Sequence, residues 1–164
     1  MKTILQAFEW YLPSDSQHSN NIKENIPDLG KLGFSGLWLP PASKAASGVE
    51  DVGYGTYDLF DLGEFDQKGT IPTKYGTKDE YLDLINTLHH NNIEVYADIV
   101  FNHMMGADET ETIEADIKAE DNHLHNIENN KTVEVWTKFT FPGRQGKYDN
   151  YIWTCLLYTS DAAD

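Results

Sequence analysis

The sequence predicts an α/β fold in which parallel strands alternate with helices, broken after the third strand by a β-rich insertion. Three observations carry this. Short runs of β-branched and aromatic residues recur at 3–11, 34–39 and 93–103, as strands require. The segments between them hold apolar residues at helical spacing, and a β-α-β-α-β order implies parallel strands with right-handed crossovers. Beyond His103 the pattern changes, and residues 132–141 alternate cleanly, as an antiparallel strand with one wet face does.

In order, the first strand ends at Pro13-Ser14-Asp15-Ser16. Ile22, Ile26, Leu29 and Leu32 then mark one helical face. Pro27 inside it removes a hydrogen bond and is expected to kink or split the helix; Gly33 stops it. The second strand runs into Pro40-Pro41. Residues 42–76 make a connection far longer than α/β units use. Its Gly53-Tyr54-Gly55-Thr56-Tyr57 stretch argues for an ordered, close-packed path. Thr77 and Glu80 form a capping box, opening a helix with Tyr81, Leu84, Ile85 and Leu88 on one face and Asn91-Asn92 at its end. The third strand follows. Residues 104–130 are polar and acidic with weak periodicity.

Composition narrows the function. Twelve Lys and Arg stand against 27 Asp and Glu, a net charge of −15, and such a field repels phosphate backbones, so nucleic acid is not expected as a partner. The 4 Trp, 9 Tyr and 7 Phe argue against disorder. Gln6 and Glu9 interrupt any signal-peptide core, and no segment approaches the ~20 apolar residues that cross a bilayer. The single cysteine, Cys155, allows neither an internal disulfide nor a cysteine metal cluster. These features predict a cytoplasmic protein without membrane contact.

Candidate functional residues cluster where the third strand leaves its sheet, in Asp98-Ile99-Val100-Phe101-Asn102-His103. Strand C-termini carry the chemistry of strand–helix barrels because their loops share one face. Asn102 offers a neutral oxygen suited to a hard cation such as calcium, but spacing alone favours a turn Asn that satisfies backbone groups. His103 can donate to a substrate hydroxyl or pack as a neutral histidine. Asp98, four residues before Asn102, must be paired or hydrogen-bonded if it faces a barrel interior. Tyr54 lies between two glycines that strip bulk from beside its ring, which suits a flat ligand such as a sugar and ordinary loop packing equally well.

Together these residues resemble one family. Asp98-Ile99-Val100-Phe101-Asn102-His103 is similar to the first signature region of the α-amylase family of glycoside hydrolases. Phe8-Glu9-Trp10-Tyr11, Leu37-Trp38-Leu39-Pro40-Pro41, Asp51-Val52-Gly53-Tyr54-Gly55-Thr56-Tyr57-Asp58-Leu59, Leu62-Gly63-Glu64-Phe65 and Lys74-Tyr75-Gly76-Thr77 resemble its bacterial liquefying members. The resemblance runs from about residue 3 to 153.

It implies that 1–103 is the first part of a catalytic (β/α)8 TIM barrel, with strands 1–3 and helices 1–2, and that 104–153 begins an inserted β-rich domain. It implies hydrolysis of α-1,4-glucosidic bonds in starch, glycogen or maltodextrins with retention of configuration. Asn102 would bind Ca2+, His103 and Tyr54 would contact the sugar, and Asp98 would hold active-site geometry; Gln6 and Trp10 would lie near the cleft. Retention uses two carboxyl groups about 5 Å apart. In the family these follow later strands, so no catalytic carboxylate is expected within this chain, and the polypeptide alone is expected to be inactive and aggregation-prone at its open sheet edge. A family-related transglycosylase, an exo-acting maltooligosaccharide hydrolase and a non-catalytic glucan-binding barrel share the same residues. An unrelated metal-dependent barrel hydrolase would need further ligands at the first two strand ends, which offer only Glu9. Residues 154–164 depart from the family and read as a non-native tail. The full-length protein is expected to be monomeric.

Overall fold

The computed structural model describes residues 2–148; Cys155 and the doubtful tail 154–164 lie outside them. β1 (Ile4–Gln6) leads through α1 (His18–Lys31) into β2 (Gly36–Leu39). β3 (Lys44–Ala45) and β4 (Thr56–Asp58) then pair antiparallel within the long connection, and α2 (Lys78–His90) leads to β5 (Glu94–Ala97). The last described elements are a hairpin of β6 (Glu109–Ala119) and β7 (Asn122–Lys138) and a 3-10 turn at Pro142–Arg144.

The main sheet has the order β1-β2-β5 and is parallel throughout, as the strand–helix alternation predicts. Its register sets Gln6 beside Trp38 and Trp38 beside Tyr96. Because side chains alternate across a strand, Leu37 and Leu39 point to the other face. There they join Ile26 of α1, Leu84 and Leu88 of α2, and Ile93 in one buried apolar cluster. Trp38 and Tyr96 are exposed on the face the helices leave open. Both ends of α2 behave as read. Thr77 Oγ1 accepts the Glu80 N–H, and Glu80 Oε2 accepts the Thr77 N–H at 2.8 Å. That backbone bond is the main reason the Glu80 carboxyl is held below its usual range. Asn92 leaves the helix at φ 58.

Four expectations are corrected. β1 spans three residues, not nine: after Ala7 the chain turns, with the Gln6 amide donating to Phe8 O and the Glu9 carboxylate accepting the Tyr11 N–H. The aromatic residues that suggested a longer strand pack edge-on (Phe8 on Trp38) or stack in a loop (Trp10 on Tyr54). Pro27 neither splits nor ends α1. It is exposed, so the carbonyl it orphans one turn back can turn to water. The 42–76 connection contains its own two-stranded sheet, β3–β4. Finally, the acidic stretch before residue 132 is a strand. In β6, Ile113, Ala115, Ile117 and Ala119 alternate with polar residues, and acidic side chains on an exposed face mask that period. No other helix or strand packs on the hairpin among the described residues.

At its root lies a second cluster, formed by Tyr57, Met104, Phe139 and Phe141. Beside it, four charged side chains are almost fully enclosed. Lys44 and Asp61 lie 3.4 Å apart, and Arg144 grips Asp58 through two nitrogens. Gln67 donates to both carboxylates. Lys44 also donates to the carbonyls of Phe65, Thr70 and Ile71, so its charge is fully solvated by protein. Burial nevertheless lowers its pKa, against the pull of Asp61.

Candidate substrate-binding site

The site forms around the end of β5. Asp98 is the first residue beyond that strand, and its N–H still bonds Leu39 O at 3.1 Å. The alternation that exposes Tyr96 places Asp98 on the same open face. Its carboxylate accepts the Tyr54 hydroxyl at 2.9 Å. Burial, and then this bond to Asp98, push the Tyr54 phenol up to about 12. Asp98 is thus hydrogen-bonded, and its partner is a phenol.

Tyr54 is held by its loop. Asp51 Oδ1 accepts the N–H groups of Gly53 at 2.9 Å and Gly55 at 3.2 Å, closing the backbone around one carboxylate oxygen. Gly53 has φ +98, and a Cβ there would meet Pro41 at 2.8 Å; a Cβ on Gly55 would meet Asp51 at 2.4 Å. Gly53 is therefore required by its backbone conformation and by Pro41, and Gly55 by the Asp51 carboxylate, which favours the loop-packing reading. The Trp10 ring lies nearly parallel to Tyr54, 10° between planes and 6.2 Å between centroids. Trp10 is 62% exposed, so the pair forms a largely solvent-facing aromatic surface. Behind it, the Tyr75 hydroxyl donates to Val52 O at 2.7 Å, and burial raises its pKa.

His103 Nε2 lies 2.8 Å from Tyr54 O. A carbonyl only accepts, so this nitrogen carries a proton. Tyr54, Asp98, His103 and Trp10 are thus joined by direct contacts. Gln6 sits exposed at the end of β1, bonded to Phe8 O. Asn102 is not part of the cluster's bonding. It is exposed, and its amide makes no hydrogen bond among the described residues. Its oxygen is available to a cation, but calcium takes six to eight oxygens. No group of three or more His, Cys, Asp or Glu able to hold a metal occurs among the described residues. They do not by themselves make a calcium site.

Asp98 also borders an open hollow of about 460 Å³ whose other walls include Leu59, Phe60, Ile99 and Phe101. Among the described residues, Asp98 is the only carboxylate lining it. Since that carboxylate already accepts a phenol, it can orient neighbouring groups, and among the described residues no second carboxylate faces it across the hollow. Sequence reasoning missed Asp51, Asp58, Asp108 and Arg144, which hold this region in place. Only Asp51 gave a local signal, as an Asp two residues before a glycine, where it can cap the turn.

The fold and the family are corroborated by known proteins. A truncated alternansucrase from Leuconostoc mesenteroides superposes with a TM-score of 0.72 over 85% of this chain and 13% of its own, at 21% identity, a likeness of fold. An α-amylase of Geobacillus stearothermophilus is 47% identical over 151 residues, 92% of this chain and 27% of its own. A cytoplasmic α-amylase of Escherichia coli K12 is also 47% identical, over 92% of this chain and 30% of its own. A glucan 1,4-α-maltohexaosidase of a Bacillus species is 45% identical, over 92% and 29%. This chain therefore spans less than a third of the length of these relatives. The family profile described as Alpha amylase, catalytic domain, matches residues 18–153, and the chain belongs to the α-amylase family.

Proposed function

We propose that this chain supplies one wall of the substrate cleft of a glycoside hydrolase that cleaves α-1,4-glucosidic bonds in starch, glycogen or maltodextrins with retention. The observation that supports this best is the contact between Tyr54, Asp98 and His103 beside the exposed Trp10 ring, at the strand ends where barrel enzymes bind substrate. Aromatic faces suit the apolar C–H face of a glucose ring, and the Nδ1 edge of His103 can meet a hydroxyl. Asp98 acts by fixing Tyr54. The acid pair of the reaction is not assigned to any described residue. Asn102 is proposed to give one oxygen to a calcium ion whose other ligands come from elsewhere in the protein, and the cytoplasm is proposed as its compartment, the designation that the Escherichia coli relative carries.

Titration of the chain with maltohexaose, followed by Trp fluorescence, tests the reading. Saturable binding is expected, with no release of reducing ends. Tyr54→Ala is expected to weaken it about tenfold or more, the scale of losing a stacked aromatic at a binding site. Equal affinity for a β-linked glucan of the same length, or unchanged affinity in Tyr54→Ala, would remove the assignment. For the cation, Ca2+ is expected to raise the melting temperature of the full-length protein and not that of its Asn102→Ala variant.

A further inference from the structure

The residues that follow Tyr54 are bonded in succession to both legs of the hairpin. Tyr54 O receives His103, Thr56 O receives the Met105 N–H at 2.7 Å, and the Tyr57 hydroxyl lies 2.7 and 2.8 Å from the two oxygens of Asp108. These three ties hold the outgoing leg. Asp58 then takes the Arg144 guanidinium, with Nε at 2.7 Å, from just beyond the returning leg. Asp108 closes the loop between legs by accepting the N–H groups of Thr140 and Phe141 at 2.9 and 3.0 Å. Burial opposes its ionisation, yet these bonds and Lys68 hold its carboxyl below the usual range.

Arg144 is 2% exposed and Asp58 0%. A buried ion pair contributes little net stability compared with apolar residues of the same shape. What a two-nitrogen fork supplies is orientation, because its planar donors fit a carboxylate in one geometry. The guanidinium carbon also lies 4.0 Å from the Phe141 ring centroid, which restricts it further. The strand that it orients, β4, begins two residues after Tyr54.

We propose that Arg144 is a positioning residue: by gripping Asp58 it fixes how the hairpin stands against the 54–58 segment, and so holds the Tyr54 ring on Asp98 and beside Trp10. The inference rests on the glucan-binding reading for its functional consequence, but not for its structural one.

Arg144→Met and Arg144→Lys in the full 164-residue chain test it. Three quantities are measured: the melting temperature, the native-state near-ultraviolet circular dichroism of the Trp10–Tyr54 pair (assigned with Trp10→Phe and Tyr54→Phe), and maltohexaose affinity. Arg144→Met is expected to keep a cooperative transition and lose the pair signal, with affinity falling about tenfold or more, the scale set by ångström-level misplacement. Arg144→Lys, which keeps the charge and loses the fork, is expected to fall between Met and wild type. A role in stability alone would move the melting temperature and leave the native signal and affinity unchanged, and that result overturns the proposal. If Arg144→Met does not fold, Tyr57→Phe carries the same comparison by opening the tie to the outgoing leg. If wild type does not bind maltohexaose, the glucan reading fails, and the optical signal alone decides the role of Arg144.

Discussion

Under the parallel sheet, six apolar side chains from α1, α2 and the strands close a core without any charge, whereas β4 and the hairpin root enclose Lys44, Asp58, Asp61 and Arg144 almost completely. The difference lies in what each kind of core specifies. Apolar burial is strong but non-directional, and it suffices where helices and strands already set the geometry. The second region has strands of two and three residues and a ribbon on which no other described helix or strand packs. There, directional bonds between ions and aromatic hydroxyls do the orienting.

Single and paired substitutions should separate these two modes. Asp58→Asn removes the carboxylate that the buried Arg144 grips, and is expected to cost about 3–5 kcal/mol in urea unfolding. The double variant Asp58→Leu/Arg144→Met should recover most of that loss; a double variant as unstable as the single one would mean that the pair contributes net stability. Leu88→Ala, at the centre of the apolar core, should cost about 2–5 kcal/mol with a cavity term included, and a second substitution cannot rescue it by pairing. Thr77→Ala, which removes the cap of α2, should cost about 1 kcal/mol.

Acid should weaken the two regions at different points. His18, at the start of α1, donates through Nε2 to Ala7 O, and burial holds its pKa below the ordinary value despite nearby Asp15. Its neutral form therefore favours the fold above about pH 6.5, and that contribution is lost as pH falls through the depressed folded value. Asp108 is also depressed, but its contribution is present above about pH 4 and is lost only below it. Amide exchange followed from pH 7 downward should accordingly show the helix side of the sheet opening first and the hairpin root last. The opposite order would contradict the assignment.

The apolar half was legible because its signals are periodic. Ile22, Ile26 and Leu29 face the core as their spacing says, whereas Leu32, read as the fourth member of that face, caps the helix end and is exposed; Leu84 and Leu88 face the core too, and the capping box begins α2 at the residue it names. The other half was legible only in parts. Asp98, His103 and Tyr54 could be singled out one by one, but their meeting depends on a 44-residue separation in sequence bridged by a hydrogen bond, and no local pattern encodes that. Arg144 and Asp58 are 86 residues apart, and a lone Arg in an acidic chain looks like a surface charge. β6 was hidden for the opposite reason, since its acidic side chains make an exposed strand resemble a loop.

The hairpin leaves and re-enters the body within one small patch, where Asp108 receives Thr140 and Phe141. Ring closure is thus completed at the base, and no other described helix or strand packs on the span of ribbon between. Lengthening the turn at Glu120-Asp121 would add only the slowly growing entropy of a longer loop. Relatives could carry very different projections there, or a binding peptide could be spliced into that turn, with the parallel sheet unaffected.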